Sequence, residues 1–592
     1  MFFLKKLYNI FVHYSTNVQK DKVGNMKLFF NKNKRLWHKY YNKKDREVTT
    51  PDMSLFEYLY NSNIDRLNKT AINYFGKKIS FSEFFNKIDI CAKALKSQGV
   101  REKDVVSICL PNVPEAVILF YAVSKIGAIA NMIHPLSAEE EIKRSIVDTK
   151  SVILFTVNFN YKKVKNIIDE TKVYKVIFVS PKDSMPKSMS IGYFLLQDRK
   201  IKLPKSNEIF MLWKFFMEKG INYKTNVFKK TDKNSPAVIL HSGGTSGTPK
   251  SIVLSNGNIN VVPLQAHIAL PDVTENDTML GILPMFHCFG LVECVHYPLT
   301  TGLELILVPK FDASRFDKLL RKHKPTFIAG VPTLFEALLK NKHMDDIDLS
   351  NVKYIVSGGD SLNEERNKRV NDFLHEHGST KGIVQGYGMT ETSGGCIFST
   401  TNSYTLGSVG IPLPSNDLKI VDPETHEEVE IGKVGEILIS GPSVMMGYLD
   451  DEKETNKVLE KDKNDKIWVH TGDLGYINKN GCLFFVQRLK RLIISSGYNV
   501  YPSHIEEILN KHEYVLNSCV VGIPHPYKVQ VPKAYIVLKS DYHDSLKVRN
   551  EIKDYLEKNL AKYMLPKEYV IRESLPKTMI GKVDYKKLEE EK

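Results

Sequence analysis

A strand-like segment followed by a glycine-rich loop is the feature that most narrows the choice of folds for this chain. Residues 236–240 (PAVIL) have the apolar character of a buried strand, and residues 241–250 (HSGGTSGTPK) follow directly. Glycines let the loop turn and expose backbone N–H groups to an anion, while hydroxyl groups and the Lys250 ammonium add donors. It is not a Walker A loop, because Pro249 stands where that motif has glycine before lysine. From this segment alone, a nucleotide-phosphate site and an ordinary Gly/Ser/Thr turn stay equally open.

Short apolar runs alternate with amphipathic helical stretches from about residue 55 to residue 421. This alternation predicts an α/β fold with mostly parallel sheets covered by helices. The predicted strands span 105–110, 326–331 and 354–356, and the predicted helices span 114–125, a segment opening at Pro332, and 363–377.

Three glycine-rich loops are predicted to follow strands, at residues 243–247, 357–360 and 386–388. In α/β sheets, ligands bind beyond the carboxyl ends of the strands. Because all three loops are predicted at such ends, together they favour the phosphate site over the ordinary turn.

The pattern changes to β-strands after about residue 405. Residues 434–440 and 467–477 are predicted strands, and Asn480-Gly481 is a hairpin-turn signal. A small α+β module is predicted from about residue 489 onward, after the short polar connector QRLKR (487–491). The length of 592 residues agrees with several domains, since single cores rarely exceed about 300 residues.

Positive charge is concentrated at the N-terminus. Residues 1–50 carry twelve Lys or Arg residues against three acidic ones, which is +9 of the formal charge of +15. The modest charge of the rest argues against a nucleic-acid-binding body, and residues 1–50 are interpreted as a basic extension. Apolar residues recur in it at helical spacing, so residues 1–45 either contact an anionic membrane surface peripherally or dock on the protein itself. A signal peptide is not predicted, because the apolar run is short and no small-residue cleavage site follows.

The cysteines indicate a reducing compartment. There are seven, an odd number with no CxxC pair, which predicts free thiols in a cytoplasmic protein. The apolar segment 116–123 is bounded too closely by Glu115 and Lys125 for a membrane span. Neither His pairs nor Cys/His sets have metal-ligand spacing.

Six segments, in their order along the chain, resemble the adenylate-forming superfamily of acyl-CoA synthetases, peptide-synthetase adenylation domains and luciferases. They are HSGGTSGTPK (241–250), PMFHCFG (284–290), QGYGMTE (385–391), TGDLG (471–475), RLKRLIISSGYNVYP (488–502) and LPKTMIGKVDY (575–585). One alone would be weak, but six in the family's order are specific, and the resemblance covers roughly residues 50–592. The segments SGYNVYP (496–502), WHKYY (37–41) and TPDMSLFE (50–57) are similar to fatty acyl-CoA synthetases in particular.

The resemblance implies a fold and an activity. Residues 51–487 would form a large domain with two α/β subdomains and a β-barrel-like subdomain, and residues 488–592 a small, mobile α+β domain hinged near Lys490. The implied enzyme uses ATP to join a carboxylic acid, expected to be a medium- or long-chain fatty acid, to coenzyme A through an acyl-adenylate. The chain has His287 where amino-acid-activating members usually carry Asp, and Gly243 where a hydroxyl residue is more common.

The resemblance also implies roles for individual residues. The residues implied to bind ATP are Thr245, Ser246, Gly247, Lys250, Gly358, Gly359, Asp360, Gly386, Tyr387, Gly388, Thr390, Asp473, Arg488 and Lys582. Lys582 and Thr390 would act in adenylation and Glu391 would bind Mg²⁺. His287 would contact the carboxylate or gate the acyl pocket, and Gly497 would approach the CoA thiol. The alternatives are solvated lysines at 490 and 582 and a buried structural histidine at 287.

Three functions therefore compete. The first is an AMP-forming acyl-CoA synthetase. The second is a ligase that transfers the acyl group to the phosphopantetheine of a separate carrier protein. The third is a non-catalytic lipid-binding protein of the same fold, against which the presence of Lys250, Glu391, Asp473, Arg488 and Lys582 together argues.

Overall fold

The computed structural model describes residues 35–201, 203–204, 206–242, 250–360, 362, 364–495, 498–525, 528–578 and 582–591, together with the backbone of two short strands near the N-terminus. Those strands, Val18–Lys20 and Met26–Leu28, pair antiparallel. The other described strands form two large sheets, a smaller antiparallel sheet and the sheet of a C-terminal domain.

Eight strands form the first large sheet. In spatial order they are Gly447–Tyr448, Ser251–Ser255, Pro236–His241, Ile129–Met132, Val105–Cys109, Ile153–Val157, Lys175–Val179 and Phe210–Leu212. The strands from Pro236–His241 to Phe210–Leu212 run parallel, whereas Ser251–Ser255 returns antiparallel to Pro236–His241. The glycine-rich loop therefore joins two strands of a hairpin instead of a strand and a helix, which explains why it lacks the Walker A pattern.

Nine strands form the second large sheet. In spatial order they are Ile411–Pro412, Gly394–Phe398, Ile383–Met389, Tyr354–Ser357, Phe327–Gly330, Thr278–Gly281, Glu304–Leu307, Thr70–Tyr74 and Lys77–Ser80. The middle strands are parallel, and both edges are extended by antiparallel strands. A common core of buried side chains connects this sheet with the first one.

Helices cover and separate the sheets. In the N-terminal part they are Leu55–Asn63, Phe81–Ser97, Pro114–Lys125, Glu139–Asp148, Tyr161–Ile167, Lys187–Leu196, Trp213–Asn222, Asn256–Ala269, Tyr297–Thr301, Phe316–His323, Pro332–Lys340, Glu364–Glu376 and Glu452–Val458, with a π-helix at Phe289–His296. Local sequence starts several of them: Ser54 caps Leu55–Asn63 by accepting a hydrogen bond from the Glu57 N–H group at 3.0 Å. Proline occupies the first turn at 114 and 332, where its missing N–H costs nothing.

The helix Pro114–Lys125 explains the apolar segment 116–123. Every residue from Pro114 to Ser124 is buried, so the segment is a core helix between the sheets. Among the described residues, none of the helices has both the length and the apolar character needed to cross a bilayer.

The third sheet is antiparallel and contains Asp417–Val421, Gly435–Ser440, Ile467–Ile477, Leu459–Lys461 and Leu483–Arg488. Trp37 and Tyr41 pack into its core and are only 5% and 8% exposed, because large aromatic side chains gain from burial. The basic extension expected over residues 1–50 thus includes a stretch, from Arg35 onward, that packs against the body.

The C-terminal domain has its own core. Its strands are Tyr498–Val500, Ile493–Ser495, Val529–Leu538, Val515–His525 and Glu568–Arg572, and its helices are Pro502–Lys511, Leu546–Asn559 and Tyr585–Glu590. The predicted fold class is confirmed: a large N-terminal domain dominated by parallel sheets precedes a separate α+β domain.

One local prediction is wrong. Residues 386–388 are not a loop after a strand but part of the strand Ile383–Met389, which continues because it pairs antiparallel with Gly394–Phe398. A Cβ on Gly388 would lie 1.8 Å from the Gly394 carbonyl oxygen. Glycine at 388 therefore permits a close approach of two strands, and this use of glycine cannot be distinguished from a turn by composition.

Candidate functional site

The predicted phosphate loop is closed at its base by two hydrogen bonds. The Ser242 N–H group donates to the Lys250 carbonyl oxygen at 3.0 Å, and the Lys250 N–H group donates to Ser242 Oγ at 3.2 Å. Thr245, Ser246 and Gly247 lie outside the described residues, so their contacts with phosphate stay a prediction.

His241 anchors the strand that leads into this loop. Its Nε2 lies 2.7 Å from both Asn131 Oδ1, on the neighbouring strand, and Ser145 Oγ, on the helix Glu139–Asp148. Burial lowers the pKa of His241 to about 4, so the imidazole is neutral at physiological pH. The histidine is thus a fixed, uncharged support for the loop.

Lys250 connects the loop to the adjacent edge strand Gly447–Tyr448 and to the helix Glu452–Val458. Its Nζ lies 2.7 Å from Glu454 Oε2 and 4.4 Å from the centre of the Tyr448 ring. Both contacts hold the ammonium beside the end of the loop, where it can meet an anion. An arriving phosphate would compete with Glu454 for this cation.

Glu391 lies in the short turn Thr390–Thr392, directly after the strand Ile383–Met389. The Tyr448 hydroxyl donates to Glu391 Oε1 at 3.0 Å, and the Met445 N–H group donates to the Glu391 carbonyl oxygen at 2.9 Å. Burial raises the pKa of Glu391, and the charges of Arg488 and Lys250 oppose that shift. Tyr448 therefore contacts both Lys250 and Glu391, which come from different sheets.

Asp473 and Arg488 face each other across the hairpin that was predicted at Asn480-Gly481. They are directly paired in the ladder of Ile467–Ile477 and Leu483–Arg488, and Arg488 Nε lies 3.4 Å from Asp473 Oδ1. The Tyr387 hydroxyl donates to Asp473 Oδ2 at 2.8 Å. Burial raises the pKa of Asp473, while Arg488 opposes the shift most strongly. A buried carboxylate beside a guanidinium can accept hydrogen bonds from ribose hydroxyl groups.

Lys582 approaches this group from the C-terminal domain. Burial lowers its pKa, and the charges of Asp360 and Asp473 raise it. The Thr578 N–H group donates to the Lys582 carbonyl oxygen at 2.7 Å, which closes the turn that carries the lysine. The ammonium thus lies within electrostatic reach of carboxylates from the second and third sheets.

The glycines expected at the adenine shape the carboxyl end of the second sheet. A Cβ on Gly358 would lie 3.1 Å from the Phe289 ring and 3.6 Å from the Gly386 carbonyl oxygen. Gly359 has a φ of +78°, a left-handed conformation in which glycine is favoured, and the exposed Asp360 follows it. Gly358 and Gly359, together with Tyr387, form one edge of the cleft.

An apolar cavity of about 120 Å³ opens between this edge and the helix Asn256–Ala269. Side chains and glycines of both α/β layers line it, among them Val262, Phe289, Val356, Gly358, Gly394, Gly395 and Phe398. His287 and Thr390 also line the cavity. Burial lowers the pKa of His287 to about 4, and the charge of Lys582 acts in the same direction. The histidine is therefore neutral and lies close to the Lys582 ammonium.

Lys490 lies in the turn Leu489–Arg491, between the last strand of the third sheet and the first strand of the C-terminal domain. Its side chain is exposed, and the turn is closed by the Leu492 N–H group, which donates to the Leu489 carbonyl oxygen at 3.0 Å. Next to it, Ser503 Oγ donates to Gln487 Oε1 at 3.2 Å. Gly497, predicted to approach the CoA thiol, lies outside the described residues.

The sequence interpretation missed four residues that complete this region. Tyr448 and Glu454 contact Lys250, and Glu293 and Tyr297 line the cavity. Glu454 belongs to a charged surface helix, where the sequence does not distinguish a functional carboxylate from a solvent-exposed one. Glu293 stands in the apolar segment that follows PMFHCFG, and a carboxyl group in such a segment was a signal that could have been used.

The arrangement combines four chemical capacities in one cleft. Lys250 and Lys582 can neutralise phosphate charge from two sides, and Asp473 can accept hydrogen bonds from a sugar. No group of three or more potential metal-binding side chains occurs among the described residues. Glu391 can supply one carboxylate oxygen, and one is enough for a Mg²⁺ ion whose remaining ligands are phosphate oxygens and water. The cavity can accept an apolar group next to the neutral His287.

Comparison with known families and proteins agrees with this picture. Residues 62–449 match the family model described as AMP-binding enzyme, and residues 504–582 match the model described as AMP-binding enzyme C-terminal domain. A long-chain-fatty-acid–CoA ligase of Bacillus subtilis (strain 168) is 32% identical, over 92% of this chain and 96% of that protein. A probable 4-coumarate–CoA ligase of Dictyostelium discoideum is 31% identical, over 85% of this chain and 88% of that protein.

A solved structure has the same fold. ATP-bound MatB from Rhodopseudomonas palustris superimposes with a TM-score of 0.79, covering 91% of this chain and 98% of that one, at 24% sequence identity.

Proposed function

The chain belongs to the AMP-binding enzyme family, and from that premise we propose that it activates a medium- or long-chain fatty acid as a CoA thioester. It is an AMP-forming acid–CoA ligase, like its named relatives. The proposal adds the kind of acid and the residues that act on it. The observation that carries it is the apolar cavity lined by the neutral His287, on which the charge of the Lys582 ammonium acts.

The first half-reaction forms an acyl-adenylate. A carboxylate oxygen attacks the α-phosphorus of ATP, the bond between the α-phosphorus and its bridging oxygen to the β-phosphate breaks, and pyrophosphate leaves with that oxygen. Such phosphoryl chemistry depends on positioning and charge stabilisation rather than on covalent help from the protein. We assign Lys582 to the charge that builds between carboxylate and α-phosphate, and Lys250 to the departing pyrophosphate.

The remaining contacts hold the nucleotide. The position of Asp473 beside Arg488 and Tyr387 supports binding of the ribose hydroxyl groups by this carboxylate. Thr390 lines the cavity next to Glu391 and is assigned to the α-phosphate. Glu391 would hold Mg²⁺, which when bound supplies a positive charge that neutralises phosphate oxygens.

The second half-reaction transfers the acyl group to a thiol. The sulfur attacks the acyl carbon, the acyl–phosphate C–O bond breaks, and AMP leaves while the thiol proton is lost to solvent. We propose that the C-terminal domain turns at Lys490 between the two steps, which withdraws Lys582 and presents the segment around Gly497. The short turn Leu489–Arg491, with its exposed Lys490, lies between two separately packed sheets and supports this hinge.

The decisive experiment is AMP release with a series of saturated acids of increasing chain length, with ATP, Mg²⁺ and CoA present. The proposal expects AMP release to depend on the acid and to be greatest with medium- or long-chain acids. Release that is greatest with aromatic acids, or with acetate and propionate, would contradict the fatty-acid assignment. Replacement of CoA by a phosphopantetheinylated carrier protein separates the two thiol acceptors. A lack of ATP–pyrophosphate exchange with every acid would leave the non-catalytic lipid-binding function.

We also propose that residues 1–45 contact an anionic membrane peripherally. The net charge of +9 on residues 1–50, which include this segment, supports the proposal. A second feature supports a membrane role: the helix Lys187–Leu196 exposes Ile191, Phe194 and Leu196, which are 62%, 47% and 67% accessible. Sedimentation with vesicles of anionic phospholipid tests the proposal. Deletion of residues 1–34 should reduce the bound fraction, and equal binding by both proteins would contradict a role of the extension.

A further inference from the structure

The acyl cavity has an unusual wall, because a carboxyl group lies in it. Glu293 stands on the π-helix Phe289–His296 and lines the cavity between Phe289 and the glycine pair 394–395. π-Helical turns are rare and are frequently found at functional sites. A saturated hydrocarbon chain offers this carboxyl group no hydrogen bond.

The carboxyl group of Glu293 is only half satisfied. Its Oε1 accepts a hydrogen bond from the Gly395 N–H group, while its buried Oε2 has no hydrogen-bond partner among the described residues. Burial raises the pKa of Glu293 to about 8, so the group is protonated at neutral pH. The protonated carboxyl group can then donate its O–H to a ligand and can also accept a hydrogen bond from it, in addition to the bond with the Gly395 N–H group.

The backbone opposite Glu293 is built to admit it. A Cβ on Gly394 would lie 2.0 Å from Glu293 Oε1 and 2.7 Å from Oε2. Glycine at position 394 therefore makes room for the carboxyl group in the cavity wall. An incidental acid at the surface would need no such space.

A second polar group follows on the same helical segment. Tyr297 lies four residues after Glu293, lines the same cavity and makes an edge-to-face contact with Phe327, with 6.1 Å between the ring centres. Its buried hydroxyl oxygen likewise has no hydrogen-bond partner among the described residues. A buried polar group without a partner is unfavourable, so two in one cavity indicate that a ligand completes them.

We propose that Glu293 and Tyr297 form a polar subsite that binds a hydroxyl group on the chain of the acid substrate. The preferred substrate is then a hydroxylated fatty acid and not a saturated one. A hydroxyl group suits this cavity because it can both donate and accept a hydrogen bond, so it can pair with the protonated carboxyl group of Glu293 or with the Tyr297 hydroxyl group. This inference rests on the proposed function, since it concerns the acid bound in the same cavity.

The experiment compares dodecanoic acid with its monohydroxy regioisomers in the wild-type enzyme. At least one regioisomer should have a kcat/KM about tenfold or more above that of dodecanoic acid, because a site built to hydrogen-bond a hydroxyl group rejects the analogue that lacks it. Glu293→Leu and Tyr297→Phe should reduce or reverse this ratio, and Glu293→Gln should retain part of it. The matched methoxy acid, which cannot donate, should lose most of the preference.

Several results would overturn the inference. Wild-type enzyme that prefers dodecanoic acid to every regioisomer excludes the subsite. Variants that lower kcat/KM for all acids by the same factor would make Glu293 and Tyr297 structural. If no acid is activated at all, the proposed function fails. The subsite is then tested by the shift of Tm that each bound acid causes, and equal shifts by dodecanoic acid and its hydroxy isomers would overturn it.

Discussion

At the scale of single residues, the site depends on a few charged groups held in unusual surroundings. Lys582 combines a lowered pKa, caused mainly by burial, with the nearby charges of Asp360 and Asp473. Such perturbed groups gather at functional sites because catalysis needs charges that bulk water does not screen.

Replacement of Lys582 by alanine should separate the two half-reactions. We expect Lys582→Ala to slow adenylate formation by at least about a hundredfold, since it removes a cation from the charge that develops in the transition state. Thioester formation from added acyl-adenylate should stay near the wild-type rate. Lys577→Ala is the matched control, because Lys577 is exposed on the same segment. Equal loss in both steps would assign Lys582 a structural role.

The lowered pKa of Lys582 also predicts a pH dependence. The ammonium form is the one that stabilises phosphate charge, so adenylation should decline as pH rises through the lowered pKa, below the value of about 10.4 of an unperturbed lysine. In Lys582→Arg the residual rate should lack this alkaline decline, because a guanidinium stays protonated. Identical alkaline profiles of the two proteins, measured by pyrophosphate release, would exclude Lys582 as the titrating group.

At the scale of elements, short backbone segments determine where the side chains of the site lie relative to each other. The turn Leu489–Arg491 joins the third sheet to the C-terminal domain, and the exposed Lys490 lies within it. The close contact between Ile383–Met389 and Gly394–Phe398 determines where Tyr387 and Glu391 lie.

Proline at position 490 should favour the conformation in which Lys582 lies near Asp473. The φ value of a 3₁₀ turn is close to the one that proline imposes, whereas rotation of the domain would need another. We expect Lys490→Pro to retain adenylation but to slow thioester formation at least about tenfold. Lys490→Ala should leave both rates unchanged, because the side chain is exposed. Equal rates of both steps in the proline variant would contradict a hinge at this position.

The strand pair around Gly388 allows a test of stability. Gly388→Ala would bring a Cβ within 1.8 Å of the Gly394 carbonyl oxygen, so the strands must separate. We expect a loss of about 3 kcal/mol or more, seen as a lower Tm, together with lost adenylation. The control is Gly192→Ala on the helix Lys187–Leu196, where no atom lies within 4 Å of the new Cβ. Alanine should leave stability unchanged or raise it there, by up to about 1 kcal/mol.

At the scale of the whole molecule, two sheets, a third antiparallel sheet and a separate domain share one cleft. All seven cysteines are buried and free, and they are distributed over helices, strands and connecting segments of both domains. The expectation of a cytoplasmic protein stays a prediction.

Buried thiols predict slow reaction with thiol reagents. Burial raises the pKa of Cys91, Cys288 and Cys519 among others, which suppresses the reactive thiolate. The native protein should show almost no rapidly reacting thiol, whereas all seven should react in denaturant. Rapid reaction of one or more thiols in the native protein would mean that a domain opens readily.

Much of the fold could be predicted because local patterns carried it. The helix Pro114–Lys125 has the predicted bounds, and the strands Pro236–His241 and Ile467–Ile477 agree with their apolar runs to within one residue. The segment 386–388 was predicted wrongly, because glycine in a close strand contact and glycine in a turn have the same local signature.

What the sequence alone determined is the family, the class of reaction and most of the motif residues, since loops that bind phosphate and ribose need particular residue types in one order. Only the tertiary structure decided which charges act on each other. Tyr448 contacts both Lys250 and Glu391, and Lys582 comes to Asp473 from another domain. Glu293 and Tyr297 emerged as a polar subsite only when the cavity around them was known. The physical reason is that burial and electrostatic coupling depend on distances in space, and residues far apart in the chain leave no local pattern that records them.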